Sequence, residues 1–378
     1  MIRVLHMIAS LGIGGTQAMI MNLYRKIDRS KIQFDFIIDH SESPKHTYLA
    51  DEIKKLGGKI YVMPTFKGSN ILEIVKAWDR FFKEHREYAI LHNHVRSYAC
   101  IYLPIAKKYG LKIIAHSHST SNGKGFSALI KTLLQYPLRY QADYFFGCSM
   151  NAGEWLFGKK IADSDNYYLI RNAVDLDKYR FNPDIREKYR KLIGAKANTA
   201  VYVHIGRLHE SKNHSFLLDV FAEIQKKQED TLLVLVGEGE LREKIEEQAK
   251  DLMIDDKVIM LGARNDVHNI LHASDCFLFP SLWEGLPVTV IEAQAAGVPC
   301  FISDKVTEEV NVSGLVTRLP IDKGTGLWVD AILQTSIERM DVSLEIINAG
   351  FDIQGSVQCL EQFYTKIENC EAEDNKDL

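Results

Sequence analysis

This 378-residue sequence has no long hydrophobic run: nothing approaches the roughly 18 uninterrupted apolar residues that a membrane-spanning helix needs. The opening MIRVLHMIAS has neither a basic n-region nor a cleavage site, so export is not expected. Cysteine is sparse. The six residues, Cys100, Cys148, Cys276, Cys300, Cys359 and Cys370, form no CxxC pair and no zinc-like spacing, which fits a reducing compartment with thiols as small apolar fillers. No zinc finger, RNP-like aromatic strand or helix-turn-helix accompanies the lysines, so nucleic acid is not an expected partner. What is present, 46% hydrophobic and 25% charged residues, is the composition of a globular chain too long for one typical core.

The net charge of -4 hides a division. Residues 1–180 carry 26 Lys+Arg against 16 Asp+Glu, a balance of +10, and the remainder carries 20 against 34, a balance of -14. A basic first half points to an anionic surface. The expected location is therefore cytoplasmic, with peripheral contact to the inner face of the plasma membrane; scattered solvated charge is the alternative.

The first half repeats a short apolar run followed by an amphipathic stretch, the pattern of parallel strands covered by helices. The strands expected are IRVLHMI, FDFIID, KIYVM, AILHNH, KIIAHSH, ADYFFGC and NYYLI. A polar, charge-rich stretch around Pro183 lacks a strand pattern and reads as a connection over 173–198. The theme then restarts with AVYVHIG, TLLVLVG, KVIMLG, CFLFP and VPCFIS. The fold class is thus α/β, two doubly wound domains over 1–172 and 199–355. A helix over 356–370 is expected to return to the first domain, and 371–378 to form a disordered tail. Ligands of such sheets bind at the carboxyl ends of the strands, so function is expected in the strand-to-helix loops around a central cleft.

Three loops carry chemistry. SLGIGGTQ follows the first strand and places glycines, Gly14 and Gly15 among them, before a helix whose free amides suit an anion. Gln17 stands where a dinucleotide fingerprint needs its third glycine, which weakens an NAD reading. In GRLHESKNH, Arg207 and Lys212 supply cations able to stabilise a departing diphosphate. In SLWEGLPVTVIEA, Glu284 precedes a Gly285-Leu286-Pro287 turn and Glu292 follows after seven intervening residues, on the same face if both are helical. Pro287 suits a first helical turn, and carboxylates accept hydrogen bonds from vicinal hydroxyls. An ordinary exposed helix is the alternative for this pair.

GRLHESKN, VGEGELR, LGARNDV and FPSLWEGLPVTVIEAQAAGVP, in this order, resemble the donor half of glycosyltransferase family 4, and GIGGTQ, IIAHSHST and RNAVDLDKY resemble its other landmarks, so that the likeness covers nearly the whole chain. The resemblance implies a GT-B fold of two Rossmann-like domains and a retaining transfer from a nucleotide sugar, as in bacterial capsular and exopolysaccharide synthesis. It further implies that Arg207 and Lys212 hold the diphosphate, with amides at Gly14 and Gly15 assisting. Glu292 would bind the ribose, and Glu284 with the backbone of Gly285, Leu286, Pro287 and Val288 the transferred sugar. Arg264 would lie near the base and His118 beside the reacting centre. Two departures stand out: SDKVTEEVNVSGLV replaces a common GG-x-x-E segment, leaving Glu308 and Glu309 without a clear role, and Gln17 replaces an acidic residue.

The expected reaction moves a hexose or N-acetylhexosamine, UDP-linked, to a saccharide or lipid-linked acceptor. No cofactor is expected, and no essential metal: no DxD occurs in a sugar-nucleotide setting, since DLD at 175–177 lies in the connection, and His116 with His118 has no acidic or cysteine ligand at suitable spacing. His92 and His94 on the neighbouring strand are expected on the acceptor side. GKGFSALIKTLLQYPLRY combines Lys124, Lys131 and Arg139 with Phe126, Leu129, Ile130, Leu133 and Leu134, a segment able to rest on an anionic membrane or, alternatively, to face the core. A non-catalytic sugar-nucleotide-binding partner and a nucleotide-sugar epimerase are the competing functions.

Overall fold

A computed structural model describes residues 1–12, 14–39, 48–119, 125–336 and 338–374. It divides the chain into two compact units, Met1–Ala173 with Ile353–Leu378, and Val174–Asp352.

The first unit is built on β1 (Ile2–Met7), β2 (Ile32–Ile38), β3 (Ile60–Val62), β4 (Ile90–Asn93), β5 (Lys112–Ser117), β6 (Tyr144–Gly147) and β7 (Tyr167–Leu169). They form one parallel sheet in the order β3-β2-β1-β4-β5-β6-β7. Central strands are apolar on both sides because helices cover both faces. One face buries Phe34, Phe36 and Phe146 with Tyr24; the other buries Leu5, Leu91 and Ile113 under Trp78, whose ring stacks on Tyr102 at 4.3 Å. The order reverses between β1 and β4, so the loops after these strands splay apart and open the crevice where such sheets take ligands.

The helix Ile353–Asp374 belongs to this unit, beginning before the expected 356 and running past the expected 370. Leu360, Phe363 and Tyr364 enter the β1 side of the core, and Glu361 Oε1 accepts a hydrogen bond from the Asp28 amide at 2.7 Å. Residues 371–374, expected in a tail, are helical; 375–378 lie outside the described residues.

The second unit carries β8 (Ala200–Ile205), β9 (Thr231–Val236), β10 (Val258–Met260), β11 (Cys276–Phe279), β12 (Cys300–Ser303) and β13 (Val316–Leu319), parallel in the order β10-β9-β8-β11-β12-β13. The strand β13 was not expected. VTRL is short and interrupted by Arg318, and as an edge strand it is only half-buried, so it lacks the apolar run that marks the others.

The stretch 173–198, expected as a connection, is folded into the second unit from Val174 onward. It holds the helices Leu176–Tyr179 and Pro183–Leu192, the latter started by Pro183 in its first turn and by Asn182, whose side chain accepts from the amides of Asp184 and Ile185. Two of its cations are structural: Arg186 and Arg190 reach Asp275 at 2.5 and 3.1 Å and also bond the carbonyl of Ala273. Polar composition therefore concealed a packed helix, because its cations are satisfied by partners some 90 residues away in the chain, as Arg186 and Asp275 show with a separation of 89.

Candidate functional site

In the second unit the loop after β8 meets the loop after β11. The Leu282 amide donates to the Ser211 carbonyl at 2.8 Å, and Lys212 Nζ lies 2.5 Å from Glu284 Oε1. Both side chains are largely enclosed, 15% and 14% exposed, and the ammonium also sits 4.6 Å from the Phe279 ring centroid. A cation and a carboxylate 72 residues apart are thus brought into contact where the two loops meet. Two glycines permit the neighbouring loops to approach: a Cβ at Gly237 would lie 2.0 Å from the Gly206 carbonyl oxygen, and one at Gly239 would lie 2.2 Å from that of Leu208.

Arg207 points outward, 70% exposed, and pairs with Glu240 at 3.0 Å, leaving it free to swing toward an arriving anion at little cost. Arg264 is held by Asp266 through two bonds of 2.7 and 2.6 Å, and Tyr189 donates to the same carboxylate. That grip fixes the loop but occupies the guanidinium. Gly285 faces open space.

The helix that follows starts at Val288, with Pro287 as its cap rather than in its first turn and no side chain capping its amides. Glu284 therefore precedes the helix. The same-face expectation for Glu284 and Glu292 fails because helical periodicity does not reach back through the turn; Lys212 positions Glu284 instead. Glu292 is bonded by Tyr179, a partner from the supposed connection that spacing along the chain did not reveal. Burial raises the Glu292 carboxyl above the usual carboxylate range, and the Tyr179 bond pulls it partly back. An acid whose pKa is higher folded than unfolded costs stability once the pH passes the unfolded value, and the penalty is complete above the folded one. Glu292→Gln is thus expected to raise the melting temperature near pH 7 by about 2 °C, the scale of a 1 kcal/mol gain, while leaving it unchanged near pH 4. Scanning calorimetry at both pH values checks this, and equal shifts at both would refute it.

In the first unit the helix Gly15–Lys26 begins directly after the glycine loop, with Gly14 extended at its N-cap and no side-chain cap. A cavity of about 250 Å³ lies beside it, lined by Thr16, Gln17, His94, Arg96, Ser97 and Lys131, a wall with two cations and several donors. His94 thus reaches a ligand-sized space. His92 does not: it is buried, its Nδ1 paired with Tyr364 Oη at 2.6 Å and its Nε2 with His116 at 3.1 Å. His118 Nε2 meets His94 Nδ1 at 2.8 Å. Burial, with the Arg96 charge adding to it, holds His118 down to about 3, so at neutral pH it is a neutral hydrogen-bonding group and not a cation. The sequence reading missed His6, buried on β1 and 3.1 Å from His94. The signal was its place inside an otherwise apolar strand.

The helix Phe126–Gln135 exposes Phe126, Leu129, Ile130 and Leu133, so its apolar side does not face the core. Lys124 lies outside the described residues. No helix among the described residues is long and apolar enough to cross a membrane.

Comparison with known proteins agrees with this layout. Residues 185–374 match the family described as Glycosyl transferases group 1, and residues 13–178 match Glycosyltransferase Family 4. EpsF of Bacillus subtilis (strain 168), provisionally named a glycosyltransferase, is 33% identical over 371 residues, 96% of each chain. The capsular polysaccharide biosynthesis glycosyltransferase CapH of Staphylococcus aureus is 24% identical over 96% of this chain and 99% of its own. Among solved structures, a glycosyltransferase from Rickettsia africae ESF-5 superposes with a TM-score of 0.76 at 17% identity, covering 97% and 98% of the two chains. HepE of Anabaena, in complex with UDP and glucose, gives 0.68 at 16% identity over the full length of both. Two doubly wound units, a cation and carboxylate brought together at the strand ends of the second, and these matches lead to one conclusion: the chain belongs to the group 1 glycosyltransferases and is a glycosyltransferase with the GT-B fold.

Proposed function

We propose that the enzyme moves a hexose or N-acetylhexosamine from a UDP-linked donor to a saccharide or lipid-linked acceptor, with retention of anomeric configuration and without an essential metal. The observation that carries this reading is the enclosed Lys212–Glu284 pair at 2.5 Å. An ammonium with three donors can keep one bond to Glu284 and offer the others to phosphate oxygens. As the bond from the anomeric carbon to the phosphate oxygen breaks, charge gathers on the diphosphate, and Lys212 with the exposed Arg207 stabilises it in the place of a metal. Glu284 and the amides of Gly285, Leu286 and Val288 hold the sugar, and Glu292, oriented by Tyr179, takes the ribose hydroxyls. The acceptor oxygen attacks the same face, and its proton passes to the departing phosphate oxygen. His118 serves as a neutral hydrogen-bond partner beside that centre, and Gly14 and Gly15 lend amides.

The names of relatives favour a lipid-linked acceptor: an Escherichia coli protein 27% identical over 72% of each chain is a UDP-Gal:alpha-D-GlcNAc-diphosphoundecaprenol alpha-1,3-galactosyltransferase. In this chain the exposed apolar side of Phe126–Gln135 and the cations Arg96 and Lys131 of the adjoining cavity suit an anionic membrane carrying a diphosphate acceptor. The test is chelator-treated enzyme incubated with a panel of α-linked UDP-sugars and saccharide-diphosphate lipids in anionic or zwitterionic vesicles. The expected result is an α-linked product by NMR, undiminished by chelator, with co-flotation on anionic vesicles only. A β-linked product would overturn retention, and a rate abolished by chelator would overturn metal independence. Equal flotation, or none, would remove the membrane contact.

A further inference from the structure

Five histidines crowd one face of the first sheet where β1, β4 and β5 end. Side chains two apart on a strand share a face, so His92 and His94, and likewise His116 and His118, point the same way as His6, whose register partner is His92. The rings pack at centroid distances of 4.1 Å for His116 and His118, 5.0 Å for His94 and His118, and 5.3 Å for His94 and His116.

Hydrogen bonding within this cluster does not close. A neutral imidazole offers one donor and one acceptor. The run His118–His94–His6 and the run Tyr364–His92–His116 use the facing nitrogens, which leaves His6 Nε2, His116 Nε2 and His118 Nδ1 buried without a partner among the described residues. Orphaned buried nitrogens are costly, and a metal ion is one partner that satisfies clustered imidazoles together.

We propose that His94, His116 and His118 form a binding site for a single divalent transition-metal ion of the zinc or copper class. Their ligand nitrogens all lie within 4.8 Å of one another. Bonds of 2.0–2.1 Å in a tetrahedral site require separations of about 3.3 Å, a contraction that small ring rotations supply at the cost of the His94–His118 hydrogen bond. Two of the three residues bring an unpartnered nitrogen. His94 opens on the 250 Å³ cavity, which gives the ion a route and leaves its fourth position facing Thr16, Ser97 and Arg96. Arg96 opposes a bare dication there and favours an anionic fourth ligand, hydroxide or phosphate, between metal and guanidinium. The triad His6, His92 and His94 also has nitrogens within 4.8 Å, but it brings only one orphan and shares His94, so the two sites exclude each other.

One consequence rests on the proposed transfer mechanism: a ligated His118 cannot bond the reacting sugar, so the metal inhibits a reaction that does not need it. Binding itself is independent of that reading. The test titrates the chelator-treated full-length chain with Co²⁺ and Zn²⁺, following cobalt visible absorption, calorimetry and the melting temperature. One ion per chain, intense four-coordinate cobalt bands, a raised melting temperature and affinity reduced by at least roughly tenfold in His116→Gln and in His118→Ala are expected. His118, the least buried of the three, is the variant that keeps the test sound if His116→Gln fails to fold. Absence of bands and of a thermal shift in the wild type would overturn the site, as would bands that persist in both variants. Binding together with unimpaired transfer would support the site and count against the role of His118 in transfer.

Discussion

Replacing Lys212 by alanine is expected to lower kcat/KM for the nucleotide sugar by about 10²–10³-fold, the scale on which removal of one preorganised charge-stabilising donor acts. The loss has two sources. The leaving diphosphate loses its enclosed cation, and Glu284, 14% exposed, is left without its partner and repels the incoming phosphates. The second source also destabilises the free protein, by about 2 kcal/mol, less than the 3–5 kcal/mol of a fully buried pair because some solvent reaches it. The double variant Lys212→Ala with Glu284→Gln separates the two. Removing the orphaned charge restores the melting temperature but not the rate, so stability recovers while kcat/KM stays low. Steady-state kinetics with thermal melts of the two single variants and the double variant read this out; a single Lys212→Ala variant within threefold of wild type would remove Lys212 from the donor site.

Alanine at Gly237 is expected to cost on the order of 3 kcal/mol, lowering the melting temperature of the second unit by roughly 10 °C. The residue has φ +144, a region that L side chains rarely enter, and its new Cβ would sit 2.0 Å from the Gly206 carbonyl oxygen. That neighbour is backbone and cannot swing away. The ends of β8 and β9 must part, and Arg207, which follows Gly206, moves with them, so KM for the donor rises along with the loss of stability. Gly285→Ala is the control: nothing lies within 4 Å of its Cβ position, and the melting temperature is expected to hold. If Gly237→Ala melts with wild type, the close approach of these loops is not what keeps that glycine.

Much of the architecture was legible in one dimension. Parallel strands buried on both faces are written as continuous apolar runs, and twelve of the described strands announce themselves that way, with Arg207, Lys212, Glu284 and Glu292 following them in recognisable order. The edge strand β13 and the helices of 173–198 escaped because their residues are polar for local reasons, exposure on one side in VTRL and long-range pairing of Arg186 and Arg190 with Asp275.

By itself the sequence determined the α/β class, the repetition of the sheet theme and the residue types at the strand ends, since these follow from local periodicity and turn chemistry. The tertiary structure alone decided who meets whom. Lys212 closes on Glu284 across 72 residues, Tyr179 on Glu292, and His6, His92, His94, His116 and His118 converge on one sheet face. Strand order and register set those meetings, and both arise from hydrogen bonds and packing between segments far apart in the chain, where no local pattern records them.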